Sequence, residues 1–234
     1  MYDAYQHRIG ECDQELEIHL KGLRDRIPTQ PTHASPAGAL AQKPTIAVGK
    51  KRKQAQGNRP AFDLQQELHR VTGVDLTRID GINVLVAQTV VTEVGFDMTR
   101  WKTEAHFASW LGLCPDNRIS GDRVLSRGTK RVVSRAATAL RMAATTLIKS
   151  QTYLGAQYRR LRTKLGAPKA ITAMAHRLAR LIYRMLKYGQ EYVDKGSHYY
   201  EQRYRQQQIN FLQKRAAKFG LSIVTPPSPE HSRG

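Results

Sequence analysis

The sequence predicts a mainly α fold: an N-terminal coiled-coil helix, a flexible linker, and a compact helical domain with a helix-hairpin-helix motif. Three observations carry this reading. Residues 5 to 27 place apolar side chains at alternating three- and four-residue steps, the spacing of a helical seam. Residues 28 to 62 lose that periodicity and fill with Pro, Gly, Ala and Gln. From Asp63 helical spacing returns, punctuated by capping residues and turn glycines. The divisions are 1–27 for the coiled-coil helix, 28–62 for a flexible basic linker or insertion, 63–190 for the helical domain, and 191–234 for a basic, tyrosine-rich helical tail with a disordered end.

The seam of the first helix is Tyr5, Ile9, Cys12, Leu16, Leu20, Leu23 and Ile27, and such a stripe needs a partner. The linker carries Lys50, Lys51, Arg52 and Lys53, either a phosphate-gripping arm or, more commonly for such runs, a solvated charge cluster. In "DLQQELHRV", Asp63 is placed to cap a helix whose buried face holds Leu64, Leu68 and Val71. A tight turn follows at Asp80-Gly81-Ile82-Asn83, then an apolar helix through Val94 that stops at Gly95. Such a hairpin lets backbone N–H groups at the second helix's N-terminus approach a phosphate. Gly81 supplies the turn, and Asn83 stands where a second glycine is usual and tolerates a left-handed conformation. A plain packing turn with no ligand fits the same residues, and the turn chemistry alone leaves both readings open.

Trp101, Phe107, Trp110, Leu111 and Leu113 read as a core helix that leads into a loop at Gly112, with the tryptophans packing rather than stacking on bases. After the loop, a helix is expected over 129–149, with Val132, Val133, Ala136, Ala139, Leu140, Ala143 and Leu147 on its apolar side. Lys130, Arg131 and Arg135 would crowd its first turns, where cations oppose the helix dipole unless phosphates compensate. A further helix starts at Pro168, with Ile171, Met174, Leu178, Leu181, Ile182 and Met185 facing the core. Arg177, Arg180, Arg184 and Lys187 recur along another face, as a stripe able to track a nucleic-acid backbone or as ordinary solvated charge. In the tail, Tyr192, Tyr199, Tyr200 and Tyr204 interleave with cations, which suits single-stranded nucleic acid; helix packing by Ile209, Phe211 and Leu212 competes with that.

Charge narrows the function classes. Thirty-eight Lys and Arg against 19 Asp and Glu give a formal net charge of +19, which favours a polyanionic partner, with nucleic acid first. A membrane is disfavoured, because no apolar run approaches the ~20 residues that a spanning helix needs. The N-terminus lacks the layout of a signal peptide, so the chain reads as cytoplasmic and nucleoid-associated. Cys12 and Cys114 form no metal-binding or disulfide spacing and are expected to be buried thiols. Asp75, Asp80, Asp97, Asp116 and Asp122 are scattered, so no metal site is expected on this chain.

The basic stretch "CPDNRISGDRVLSRGTKRVVSR" places Ser120 beside Gly121 at a tight turn, flanked by Arg118, Arg123, Arg127, Lys130 and Arg131. Such cations suit binding of a scissile phosphate and stabilisation of the charge that develops when a hydroxyl attacks it. Ser126 is the second candidate in the same loop.

Taken together, "IDGINVLVAQTVVTEVG", the run F-x-x-W-L-G-L-C-P, "RISG", "SRGTKR" and "AATALRMAA" resemble the transposases of the IS110/IS116/IS902 insertion-sequence family, in their C-terminal transposase domain. The resemblance runs from about Leu64 to about Lys187. It implies DNA transposition guided by a structured RNA, with Ser120 as the catalytic serine that attacks a DNA phosphodiester and forms a phosphoserine intermediate. It also implies an RNase H-like domain whose acidic residues hold Mg²⁺, and that domain has no counterpart in this sequence. The partners expected are therefore DNA, a guide RNA, and either further copies of the chain in a homo-oligomer or a partner carrying the acidic domain. "S-R-G-T" at Ser126 to Thr129 departs from the family's usual K-R-G-N. A non-catalytic nucleic-acid-binding remnant is the alternative reading, and the chain alone is expected to bind nucleic acid without transposing.

Overall fold

The computed structural model describes residues 2–25, 60–121, 123–129 and 132–222. The linker's basic run at Lys50 to Lys53 and the last twelve residues of the tail lie outside the described residues. Among those described there are eight α-helices and one two-stranded sheet, so the fold is mainly α. In chain order these are α1 (Tyr2–Lys21), α2 (Leu64–Thr72), α3 (Val84–Val94), α4 (Glu104–Trp110), β1 (Pro115–Ser120), β2 (Arg123–Thr129), α5 (Arg135–Thr146), α6 (Tyr153–Leu165), α7 (Ala167–Tyr188) and α8 (Gly196–Ala217).

α7 is the hub. It opens with Pro168 in its first turn, where a missing N–H costs nothing, and ends at Gly189 in the left-handed conformation. Met174, Leu178, Ile182 and Met185 are buried along one side, and α5, α6 and α4 all pack on it. Removing each of these large side chains from water contributes about 1.5–3 kcal/mol. Ala170, Ala175 and Ala179 of α7, and Ala136, Ala137, Ala143 and Ala144 of α5, are also buried. Small residues on both helices leave room for close backbone approach, and Leu140 fills the remaining space.

α3 joins this core through α5. Asn83 is its N-cap: the side-chain oxygen accepts from the Val86 N–H at 2.9 Å, and the backbone is extended (φ −93°) rather than left-handed. The left-handed residue is Gly81 (φ +85°), and a Cβ there would lie 2.9 Å from the Ala143 carbonyl oxygen. Asp80 accepts from the hydroxyls of Ser150 and Thr152, and Thr152 caps α6. The turn between α2 and α3 is thus fastened to the α5–α6 connection by a glycine that permits contact and a carboxylate that holds it.

α1 rests on α2 at one end only. Leu20 is buried and Leu16 packs on the core, whereas Tyr5 and Ile9 are 62% and 52% exposed. Arg70 closes the junction by donating to the Leu20 carbonyl at 2.6 Å and the Leu23 carbonyl at 3.1 Å while paired with Glu67 and Asp25. A cation at that end also complements the helix dipole. The helix itself is acidic, with Asp3, Glu11, Asp13, Glu15 and Glu17 against Arg8 and Lys21.

Several expectations change. The loop after Gly112 is an antiparallel β-hairpin, because residues 115–120 pair with 123–129. The helix expected from residue 129 begins at Arg135, since β2 runs to Thr129 and Ser134 takes the N-cap. Val132 and Val133 are consequently exposed rather than on an apolar face. α4 spans only Glu104–Trp110, with Thr103 as its cap, and Trp101 lies before it. Residues 153–165 form α6, an element absent from the sequence reading. Cys12 is exposed and Cys114 half-buried, so neither is a buried thiol.

Gly81→Ala is expected to lower stability by roughly 1–3 kcal/mol, the cost of a side chain in left-handed backbone. Urea unfolding followed by circular dichroism measures this, with Gly121→Ala as the contrast: it shares the left-handed strain (φ +49°) but has nothing within 4 Å of its Cβ position, so Gly81→Ala is expected to cost more by its clash with the Ala143 carbonyl oxygen.

Candidate nucleic-acid interface

Ser120 is the last residue of β1 and Arg123 the first of β2, paired across the turn at Gly121. Gly121 has φ +49°, which an L side chain rarely adopts and a tight hairpin turn requires. Both Ser120 and Arg123 are exposed. Ile119 pairs with Val124, Arg118 with Ser126 and Asn117 with Arg127, and Leu125 is the extra residue between two of these pairs, a β-bulge. Among the described residues the strands pack chiefly on each other, and no helix lies broadly against them. The serine is therefore carried at the tip of an arm whose backbone holds Arg118, Arg123 and Arg127.

The arm is rooted at both ends. At its exit Ser134 accepts from the Ala137 N–H at 3.0 Å, and the Glu93 carboxylate accepts from the Ala136 N–H at 2.6 Å. Two N–H groups at the start of α5 are thereby satisfied from within the chain, and a carboxylate occupies the position that favours an anion. Of the three cations expected in that first turn, Arg135 lies there, exposed; Lys130 and Arg131 lie outside the described residues.

At its entrance the Gly112 carbonyl accepts from Arg141 at 3.4 Å, and the Cys114 sulfur lies 3.9 Å from the Ala105 carbonyl oxygen. Burial pushes the Cys114 thiol above its ordinary pKa, against the opposing charge of Arg180. Arg180 and Arg184 converge on Glu104, the first residue of α4. Arg180 donates through Nε at 2.9 Å, Arg184 through Nη2 at 2.9 Å, and each makes a second, shorter contact. Burial pushes the Glu104 carboxyl up, but hydrogen bonds from Arg184 and Arg180 outweigh it, and the pKa falls below its ordinary value of 4.5. Burial, reinforced by Arg180, likewise holds the neighbouring His176 below its ordinary pKa. Lys187 donates to the Tyr183 hydroxyl at 2.6 Å, which in turn donates to the Trp101 carbonyl at 2.8 Å.

The basic face of α7 thus divides. Arg180, Arg184 and Lys187 fasten α7 to the segment before the arm, while the Nε of Arg177 is buried without a hydrogen-bond partner. Gly81 faces α5, and Asn83 remains exposed beyond it. Trp101 is buried against Phe107, ring centroids 5.0 Å apart and edge-on, with Trp110 at 5.1 Å. In the tail, Tyr200 meets Tyr153 edge-on at 5.0 Å and stacks with Tyr204, over which the Arg160 guanidinium sits. These rings hold α8 on α6. Glu93 and Glu104, the carboxylates that root the arm, were missed in the sequence, because each works through a contact more than forty residues away. Among the described residues no group of three or more His, Cys, Asp or Glu is placed to hold a metal ion. No described helix is long and apolar enough to cross a membrane.

A strongly basic helical scaffold with a serine-tipped β-arm has the charge and shape that suit a polyanionic partner. Residues 75–159, from the cap before α3 to the middle of α6, match the model of the transposase IS116/IS110/IS902 family. That segment, arm included, is similar to this transposase family. No curated protein matches the chain.

The Glu104 carboxyl has a lower pKa folded than unfolded, so its contribution is present above the unfolded value and is lost as pH falls through the folded value. Glu104→Gln is expected to cost about 1 kcal/mol at neutral pH, a partly solvated charged pair, and to flatten the acid limb of stability below pH 4.5. Urea titrations across pH 3 to 7 would show the two proteins converging in acid.

Proposed function

We propose that this chain binds DNA through the β-arm and supplies Ser120 as the nucleophile for phosphodiester cleavage and strand exchange. The observation that carries the proposal is the exposed serine paired across a tight turn with an exposed arginine, within the segment that matches the transposase family. In this reaction the Ser120 Oγ forms a bond to phosphorus as the P–O bond to one deoxyribose breaks, and the hydroxyl proton passes to the departing oxygen. One phosphate ester replaces another, so the energy of the bond is kept and a second hydroxyl can reverse the attack. Arg123 is placed to offset charge on the phosphoryl oxygens as it accumulates.

Arg118, Arg127, Lys130, Arg131 and Arg135 extend the cationic track beyond the tip, and Arg177 and Asn83 are further contact candidates. A structured guide RNA is the second polyanion for this surface, and an oligomer or a partner with the acidic domain completes the assembly. The carboxylates described here do not fit the Mg²⁺ of the family's acidic domain, so no step is assigned to a metal on this chain.

Two measurements test this. Binding to a short duplex should weaken linearly with log salt, and Arg123→Ala should reduce the slope by about 1, the loss of one phosphate contact. Cleavage is tested with a duplex bearing a bridging phosphorothiolate, whose sulfur leaves without a proton donor. An adduct stable to detergent is expected with the wild type and with Ser126→Ala, and none with Ser120→Ala. Equal trapping by Ser120→Ala would remove that serine from the chemistry, and binding without any adduct would leave a binding protein alone.

A further inference from the structure

We infer that Leu125 is an apolar wedge that enters a base step of bound DNA beside the phosphate presented to Ser120. The inference rests on the DNA-binding reading above and adds a mode of binding to it. Leu125 is 67% exposed on an arm otherwise crowded with cations. It is also the bulged residue of β2, between the Ile119–Val124 and Arg118–Ser126 pairs, with no partner across the ladder. Bulges re-aim a side chain and sharpen the local twist. An exposed large apolar side chain of the arm is thus also the one released from the ladder.

The distances suit the purpose. Leu125 follows Arg123 by two residues, about 7 Å along a strand, which is roughly two base-pair steps of a duplex. A side chain inserted there would unstack bases next to the phosphate that faces Ser120, and apolar wedges on two-stranded ribbons or loops kink a duplex in this way. Unstacking loosens the strand that must move after cleavage.

Charge selects the occupant. Residues 115–135 hold six Arg and Lys (118, 123, 127, 130, 131 and 135) against Asp116 and Asp122, a net charge of +4. Two such arms repel each other, so an arm-to-arm contact between copies of the chain is disfavoured, whereas DNA is attracted. Among the described residues Leu125 is neither in the core nor packed against it, and substitutions of such surface residues change stability by within about 0.5 kcal/mol.

The test uses the full chain and a short nicked duplex with 2-aminopurine beside the nick and a fluorophore pair at the ends. Wild-type binding is expected to raise the 2-aminopurine fluorescence severalfold and to shorten the end-to-end distance. Leu125→Ala and Leu125→Ser should bind within about twofold of wild type, the change expected at an exposed position outside the phosphate contacts, yet lose both signals. Leu125→Phe should keep them. Wild-type binding without unstacking, or a full signal from Leu125→Ala, would overturn the wedge and leave DNA binding intact. Failure of the wild type to bind duplex at any salt would overturn both. Self-association that Leu125→Ala abolishes, without unstacking, would reassign the residue to a contact between copies.

Discussion

The packing of α7 against α4, α5 and α6 is the constraint on which the rest of the molecule depends. Each neighbour of α7 fixes one side of the arm or its surroundings. α4 leads into β1, α5 receives the chain from β2, and α6 carries the cap that anchors the turn before α3. A 22-residue helix is long enough to touch all three, and its alanines let them approach closely. The arm can project from the helices because its two roots are held by the same core.

Three acids of the chain act as long-range internal anchors. Glu93 occupies the start of α5, Glu104 gathers two arginines of α7, and Asp80 holds the turn before α3 to the start of α6. Each carboxylate is bound to groups of this chain, so the formal charge overstates what reaches a partner at α7 and understates the contrast with the arm. Arg123 at the tip of the arm and Arg135 at its exit are both exposed, whereas Arg180 and Arg184 are paired with Glu104. On the proposed function, that arrangement would favour a polyanion at the tip, where Ser120 lies.

Much of the helical skeleton was legible in the sequence, because its signals are local. Asp63 and Pro168 mark starts, Gly95 marks a stop, and the apolar spacing between them sets the buried face. The hairpin was legible only at its turn. Its strands carry Arg, Ser and Asn where a half-buried strand would alternate, since the arm has no core to face, and periodicity reports burial rather than backbone. α6 was hidden for a related reason: "YRRLRTKL" carries four cations in eight residues and blurs its apolar face, although Thr152 and Gly166 bracket it. In the candidate site, Ser120, Arg123 and the Gly121 turn could be read directly. The clamp of Glu104 by Arg180 and Arg184 could not, because spacing along one helix says nothing of a carboxylate seventy-six residues away. That contact converts part of an apparent nucleic-acid stripe into a structural joint.

The acidity of α1 has a consequence for encounter. Five carboxylates against two cations make it a negative element, a net charge of −3, in a molecule of net charge +19. A body with so uneven a distribution feels a torque as well as a pull in the field of a duplex. On the proposed function, it would be turned before contact, with α1 driven away from the phosphates and the cationic elements drawn toward them. The exposed apolar side chains at Tyr5 and Ile9 are swung outward with α1. Orientation would thereby be set at a distance, and α1, the helix least suited to DNA, would be left open to other protein surfaces.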